Sequence, residues 1–165
     1  MKSQAITKAG CTIIDYLPEH RGVIRAVLEG VGWAEQYVQA MEQAAQAFAR
    51  QPEIYGVYLA ECKARIVGYV YVQRNAWNRL AQIQGLAVRP DYQRRGIASA
   101  LIGRAEAFAI AGNMRGIYVD TPVNNKGGRR FYEALGYTCA YVMPQYYEPG
   151  LDGVTYQKFF EGDEK

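Results

Sequence analysis

The stretch from Ile83 to Ala111, IQGLAVRPDYQRRGIASALIGRAEAFAIA, constrains the fold of this chain more than any other. Ile83, Leu86, Ala87 and Val88 form a short apolar run rich in strand formers. Arg89-Pro90-Asp91 stops it, because proline cannot donate to a ladder. Gln93-Arg94-Arg95-Gly96-Ile97-Ala98 then leads into a helical pattern with Ile97, Leu101, Ala105 and Phe108 on one face. Gly112 supplies the C-terminal stop.

A strand, a basic turn with a glycine and a helix that starts at the glycine make an anion site. The first amides of a helix have no internal partner and sit at the positive end of its dipole. Gly96 and Ala98 have little or no side chain, so a phosphate can approach the backbone closely. Arg94 and Arg95 add positive charge at the same place. A Walker nucleotide loop is excluded, because no Gly-Lys-Ser/Thr follows the glycine.

Gln93-x-x-Gly96-x-Ala98, following Leu86-Ala87-Val88, resembles the acetyl-CoA pyrophosphate loop of the GNAT acyltransferase superfamily, Gln/Arg-x-x-Gly-x-Gly/Ala. Asn125 to Tyr137, NKGGRRFYEALGY, resembles the second signature of that superfamily, Asn-x-x-Ala-x-x-Phe-Tyr-x-x-x-Gly-Phe, at the expected distance downstream. Gly128 stands where alanine is usual and Tyr137 where phenylalanine is usual; neither departure removes a chemical group. The two signatures cover roughly the last half of the chain.

The length of 165 residues suits one domain with a substantial core, read as a single unit over 1–165. The net charge of +3 is mild, and no long Lys/Arg stripe accompanies it, which argues against a nucleic-acid partner. Cys11, Cys62 and Cys139 are widely spaced, odd in number and without a CxxC pair. Reduced, buried thiols in a cytoplasmic protein are therefore expected, with neither a disulfide frame nor a metal site. The N-terminus MKSQAITKAG lacks a signal-peptide core, and no stretch approaches a membrane span.

In chain order, Thr12 to Tyr16 reads as a strand, and Leu17-Pro18 opens a helix carrying Val23, Ile24, Val27 and Leu28. Gly30-Val31-Gly32 breaks it. A second helix over about 34–49 places Tyr37, Met41, Ala44, Ala45 and Phe48 on one face. Ile54 to Cys62 and Arg65 to Gln73 read as an antiparallel hairpin turning at Lys63-Ala64. The second of these strands is apolar on both faces and hence central. Leu80 begins the strand that feeds the anion loop, and Gly116 to Asp120 is the next strand. A strand, helix and strand in this order imply a parallel pair with a right-handed crossover. Asn125 to Leu135 is a short helix capped by Gly136. Tyr137 to Met143 and Val154 to Phe160 are the last strands, joined by a loop over 144–153, and Glu161 to Lys165 is a frayed tail.

The fold expected is therefore α/β (α+β): a GNAT-like mixed, mostly antiparallel sheet of about seven strands, with a parallel central pair and about four helices. Acetyl transfer to an amine needs a held cofactor, a base for the amine, a donor for the developing oxyanion and an acid for the leaving thiolate. Amides from Arg94 through Arg95, Gly96, Ile97 and Ala98 to Ser99 can meet a pyrophosphate. The backbone of Leu86, Ala87 and Val88 can pair with a pantetheine arm as another strand would, and the Val88 amide is a candidate oxyanion donor. By resemblance Asn125 hydrogen-bonds the pantetheine; as a plain residue it suits a helix N-cap, and both roles can hold. By resemblance the Tyr132 hydroxyl lies near the thioester sulfur, and its ordinary pKa of about 10 leaves it protonated at neutral pH.

Among candidates for the base, His20, the sole histidine, lies at the start of the first helix and is expected to be exposed. Gln84 stands where many relatives carry an acid and cannot take a proton. Asp120 ends the second parallel strand, at the position of the proposed base in ribosomal-protein alanine acetyltransferases, where the residue is glutamate. A bland strand-end aspartate, or a site with no committed base, are the alternatives. Trp33 and Glu35 occupy the loop that borders the acceptor pocket in the superfamily; a Trp at the core edge and a solvated Glu is the other reading. Tyr146-Tyr147 before Pro149-Gly150 looks like the Tyr-Tyr loop of Nα-terminal acetyltransferases, where tyrosines flank a peptide terminus; a homodimer contact is the alternative use. The resemblance thus implies transfer from acetyl-CoA, with coenzyme A as product, to a primary amine. A peptide α-amine leads; a polyamine, amino acid or aminoglycoside, or a non-catalytic acyl-CoA sensor, are the rivals.

Overall fold

A computed structural model describes residues 6–162. Its strands are β1 (Thr12–Asp15), β2 (Tyr55–Cys62), β3 (Arg65–Asn75), β4 (Leu80–Val88), β5 (Gly116–Pro122), β6 (Thr138–Glu148) and β7 (Leu151–Phe159). The α-helices are α1 (Val23–Val31), α2 (Glu35–Ala49), α3 (Ile97–Ala111) and α4 (Lys126–Ala134). The strands form one sheet in the order β1-β2-β3-β4-β5-β7-β6. Only β4 and β5 run parallel; every other neighbouring pair is antiparallel. The mixed sheet with a parallel pair at its centre is the one expected.

Apolar residues cover both faces of this sheet. On one face Val70, Val72, Ile83 and Val88 pack against Ile97, Leu101, Ala105 and Phe108 of α3 and Tyr132 of α4. On the other, Leu59, Tyr69, Tyr71 and Ala87 pack against Ile24, Val27 and Leu28 of α1 and Val38 and Ala45 of α2. β3 is buried through six consecutive residues, as its two-sided apolar pattern requires. The hairpin between β2 and β3 turns at Lys63 and Ala64, both at positive φ, the geometry of a tight turn that matches the strand twist.

Several expectations need correction. Tyr37 is half exposed; its neighbour Val38 takes the core position on α2. Met41, Ala44, Ala45 and Phe48 pack in the core as expected, so the stripe differs only at its first position. His20 is half-buried, and its Nδ1 accepts the Leu17 amide at 2.8 Å. The last hairpin has no long loop: β6 continues to Glu148 and β7 begins at Leu151. The pairing resumes as Glu148↔Leu151 after an irregularity beyond Met143, with Gln145 at positive φ. The bulge absorbs the mismatch that reads as loop in the sequence. Of the expected frayed tail, residues 163–165 lie outside the described residues. No described helix is long and apolar enough to cross a membrane.

The cysteines also depart from expectation. Cys11 and Cys62 form a disulfide across 51 positions of sequence, and Cys139 is free and exposed. The β1–β2 register explains the pairing. Thr12 faces Glu61, so Cys11 falls opposite Cys62, with Cα atoms 4.3 Å apart. Alternation from the Tyr16 N–H···O=C Val57 bond makes this a closely spaced, non-hydrogen-bonded pair. Reduced thiols thus give no support to a cytoplasmic setting.

Two outcomes follow from this packing. Replacing Cys11 and Cys62 together with serine removes a cross-link over a long loop, at an expected loss of about 2–4 kcal/mol. Urea unfolding checks this, and an unchanged midpoint would contradict it. Burial pushes the hydroxyls of Tyr69, Tyr71, Tyr132 and Tyr137 above the ordinary tyrosine range. The unfolded chain therefore sheds these protons first as pH rises. Their contribution is whole below about pH 10 and is lost on the climb toward the folded values. The urea midpoint should hold to about pH 9 and fall above about 10; a midpoint level to about 11 would count against this packing.

Candidate active site

The site begins where two neighbouring strands part. Parallel pairing runs from Leu80↔Gly116 to Ile83↔Val119 and stops. On the other side of β4 the register passes from Val72↔Ile83 to Tyr71↔Gly85, which leaves Gln84 as the bulged residue. Beyond the bulge β4 keeps β3 as its neighbour, whereas β5 continues to Pro122 against β7. The opening lies at the carboxyl ends of the parallel strands, where α/β sheets place their ligand crevices.

The polarity of the open β4 edge follows from the alternation of the ladder. Arg89 N–H donates to Val67 C=O at 2.8 Å, so Val67 and Arg89 are a hydrogen-bonded pair. Gly68↔Val88 and Val70↔Leu86 are then the non-hydrogen-bonded pairs. The N–H and C=O of Leu86 and Val88 consequently point away from β3, into the opening. Gln93 Nε2 donates to Val88 C=O at 2.9 Å, which shows that carbonyl facing outward. This leaves the Val88 N–H and both polar groups of Leu86 for an extended, amide-bearing ligand.

The anion loop follows. Arg94 and Gly96 both adopt positive φ, at 60° and 79°. Gly96 caps α3 in this conformation with no side-chain acceptor on the helix amides. Ala100 N–H bonds the Gly96 carbonyl, so the N–H groups of Ile97, Ala98 and Ser99 precede the first helical bond and have no partner within the helix. Arg94 and Arg95 are exposed, and Arg95 lies 5.2 Å over the Tyr92 ring. Free amides, an unobstructed glycine and two guanidinium groups suit a pyrophosphate, and the open β4 edge suits the arm attached to it.

Across the opening, Gln82, Ile83, Gln84, Asp120, Tyr146 and Tyr147 line a cleft of about 290 Å³. Asp120 sits on β5 opposite Thr155 of β7. The buried Thr155 hydroxyl donates to Asp120 Oδ1, and the Tyr146 hydroxyl approaches Oδ2 at 3.4 Å. Burial first, and the Asp120 charge second, push the Tyr146 and Tyr147 hydroxyls above their ordinary range. Both tyrosines therefore face the cleft as neutral hydroxyls. Gln84 Nε2 bonds Gln73 Oε1.

α4 carries the second signature. Asn125 caps it: its side-chain oxygen accepts the Gly128 amide at 3.0 Å, and Nδ2 donates to Thr121 Oγ1 at 3.1 Å. A Cβ on Gly128 would lie 2.4 Å from Asn125 Nδ2, so glycine at this position makes room for the cap. The Tyr137 hydroxyl donates to Glu106 at 2.9 Å, a bond that phenylalanine would lack. Tyr132 is the buried residue of α4, 6% exposed, with its ring against Phe131, Tyr137 and Tyr156. Burial alone holds its hydroxyl protonated, and Tyr132 is close enough to disfavour ionisation of Tyr147.

Trp33 and Glu35 are not among the residues that line the cleft. Trp33 is 39% exposed at the α1–α2 turn. Glu35 pairs with Arg25 at 2.9 Å, within a surface cluster that includes Glu29 and Glu42. Gln82 and Thr155 are the site residues that the sequence did not single out. Thr155 emerges only from the β5–β7 register, whereas Gln82 lies two residues before the weighed Gln84.

Residues 15–137 match the model of the acetyltransferase (GNAT) family, and the chain belongs to that family. An uncharacterized N-acetyltransferase of Methanocaldococcus jannaschii is 36% identical over 99 residues, 59% of this chain and 62% of that protein. The chain spans less of its other curated relatives, 53% and 38% for two of them. A Bacillus anthracis protein assigned as a streptothricin acetyltransferase, solved with acetyl coenzyme A, superposes with a TM-score of 0.66 at 26% identity. That match covers 70% of this chain and 68% of the other. RimL, a ribosomal L7/L12 α-N-protein acetyltransferase solved with coenzyme A, shares the fold with a TM-score of 0.81 at 18% identity, over 98% of this chain and 100% of its own.

Asn125→Ala should cost about 1 kcal/mol of unfolding free energy through loss of the cap. Urea denaturation measures it, and a variant as stable as the parent would show that the cap contributes nothing.

Proposed function

We propose that this chain transfers an acetyl group from acetyl-CoA to a primary amine, with a peptide α-amine as the leading acceptor. The observation that carries this reading is the meeting of Asp120, Tyr146 and Tyr147 around one cleft, beside the open edge of β4. Leu86, Ala87 and Val88 with the loop from Gln93 to Ser99 would hold the cofactor, and Asn125 would border its arm. Bound acetyl-CoA supplies the thioester. Asp120 accepts a proton from the incoming ammonium, and Tyr132, kept neutral by burial, can return one to the departing sulfur. Two tyrosine rings in edge-to-face contact line the cleft and offer apolar surface and hydroxyls to a peptide terminus. RimL, a fold neighbour, is described as acting on a ribosomal-protein α-amine.

A small amine is the second reading. The protein assigned as a streptothricin acetyltransferase is the observation in its favour.

The test is thiol release from acetyl-CoA against a panel of peptide N-termini and small amines. Turnover on peptides is expected. Turnover confined to small amines would reassign Tyr146 and Tyr147 to the wall of a small pocket. Acetyl-CoA binding with no turnover on either group would overturn the enzyme reading in favour of a sensor. Tyr132→Phe should lower kcat about a hundredfold with acetyl-CoA affinity retained; unchanged kcat would remove Tyr132 from the acid role.

A further inference from the structure

The two oxygens of Asp120 occupy unlike surroundings. Oδ1 accepts from Thr155, which is 5% exposed and directly across the β5–β7 ladder. Oδ2 faces the Tyr146 hydroxyl at 3.4 Å, longer than an ordinary O–H···O bond, and Tyr146 is 46% exposed. One contact is buried; the other is long and open to the cleft. The titratable groups that sense Asp120 are Tyr118 on β5 and Tyr146 and Tyr147 on β6. β4 faces the cleft with the neutral Gln82 and Gln84. The donors to the carboxylate are thus hydroxyls, and only that of Thr155 is locked in place by the sheet.

We propose that Thr155 is the positioning residue of the site: its hydroxyl holds Oδ1 and so presents Oδ2 as the oxygen that receives the proton of the acceptor amine. The Tyr146 hydroxyl rests near Oδ2 until an ammonium displaces it. In the step itself an N–H bond of the ammonium breaks, an O–H bond forms on Oδ2, and the nitrogen keeps the electron pair. A free carboxylate rotates about its Cβ–Cγ bond and offers either oxygen; one bonded to a strand-borne hydroxyl does not. This inference rests on Asp120 acting as the base.

Thr155→Val keeps the shape and removes the hydroxyl, whereas Thr155→Ser keeps the hydroxyl. With the acceptor found by the thiol-release panel, Thr155→Val should lose about tenfold in kcat with the KM for acetyl-CoA retained. Thr155→Ser should restore kcat to near the parent value. Parent-like kcat in Thr155→Val, or a loss that Thr155→Ser does not restore, would overturn the proposal. Asp120→Asn separates the two claims. If it retains turnover, the base reading fails and the presenting role of Thr155 with it; if it abolishes turnover while Thr155→Val stays parent-like, the presenting role alone fails.

Discussion

Hydrogen bonding between β4 and β5 ends at Ile83↔Val119, and each part of the candidate site is placed by that ending. Up to that point the strands are ordinary neighbours, with Ala81, Ile83, Ile117 and Val119 buried on one face of the sheet. The extra residue, Gln84, turns β4 away while β5 holds its course against β7. The divergence leaves the outward N–H groups of Leu86 and Val88 and the Leu86 carbonyl without a β5 partner, at the edge where an extended ligand could complete the ladder. It also opens the cleft onto Asp120. An unpaired edge is a liability on the outside of a protein; here it lies between two central strands, in a crevice.

The rigidity behind that opening comes from the layers on either side. Val88, Ile97 and Leu101 sit in one packed cluster, so the end of β4 and the start of α3 are held together at the anion loop. Gln93 ties the loop to the strand through Val88 C=O. Ala87, between the two outward-facing residues, is buried against the α1–α2 layer. The free amides of α3 and the free edge of β4 are therefore parts of one rigid unit, although five loop residues separate Val88 from Arg94.

The departures from the superfamily patterns have physical consequences. Gly128 gives the Asn125 side chain room to cap α4. Tyr137 adds a bond to Glu106, which also pairs with Lys158 of β7 at 3.1 Å. α4 and the β6–β7 hairpin are thus tied to α3 by polar contacts as well as by the aromatic stack around Tyr132. Gln84 has no charge to offer the cleft. That leaves Asp120, with its two unequal oxygens, as the carboxylate that lines it.

The sequence alone determined the elements whose signal is local. The strand, basic turn and helix from Ile83 to Ala111, the Lys63-Ala64 hairpin and the helix from Asn125 each depend on residues a few positions apart, where periodicity and turn chemistry act. It also marked Gly96 as the start of α3, because the glycine and the helical pattern that follows it are neighbours in the chain. Tertiary structure decided what depends on register. The Cys11–Cys62 disulfide joins strands 51 positions apart in sequence, and spacing alone cannot reveal two residues that meet across a ladder. The length of β6, the choice of Val38 over Tyr37 and the hold of Thr155 on Asp120 are of the same kind. Each is set by which residue falls opposite which, and that is known only once the strands have paired.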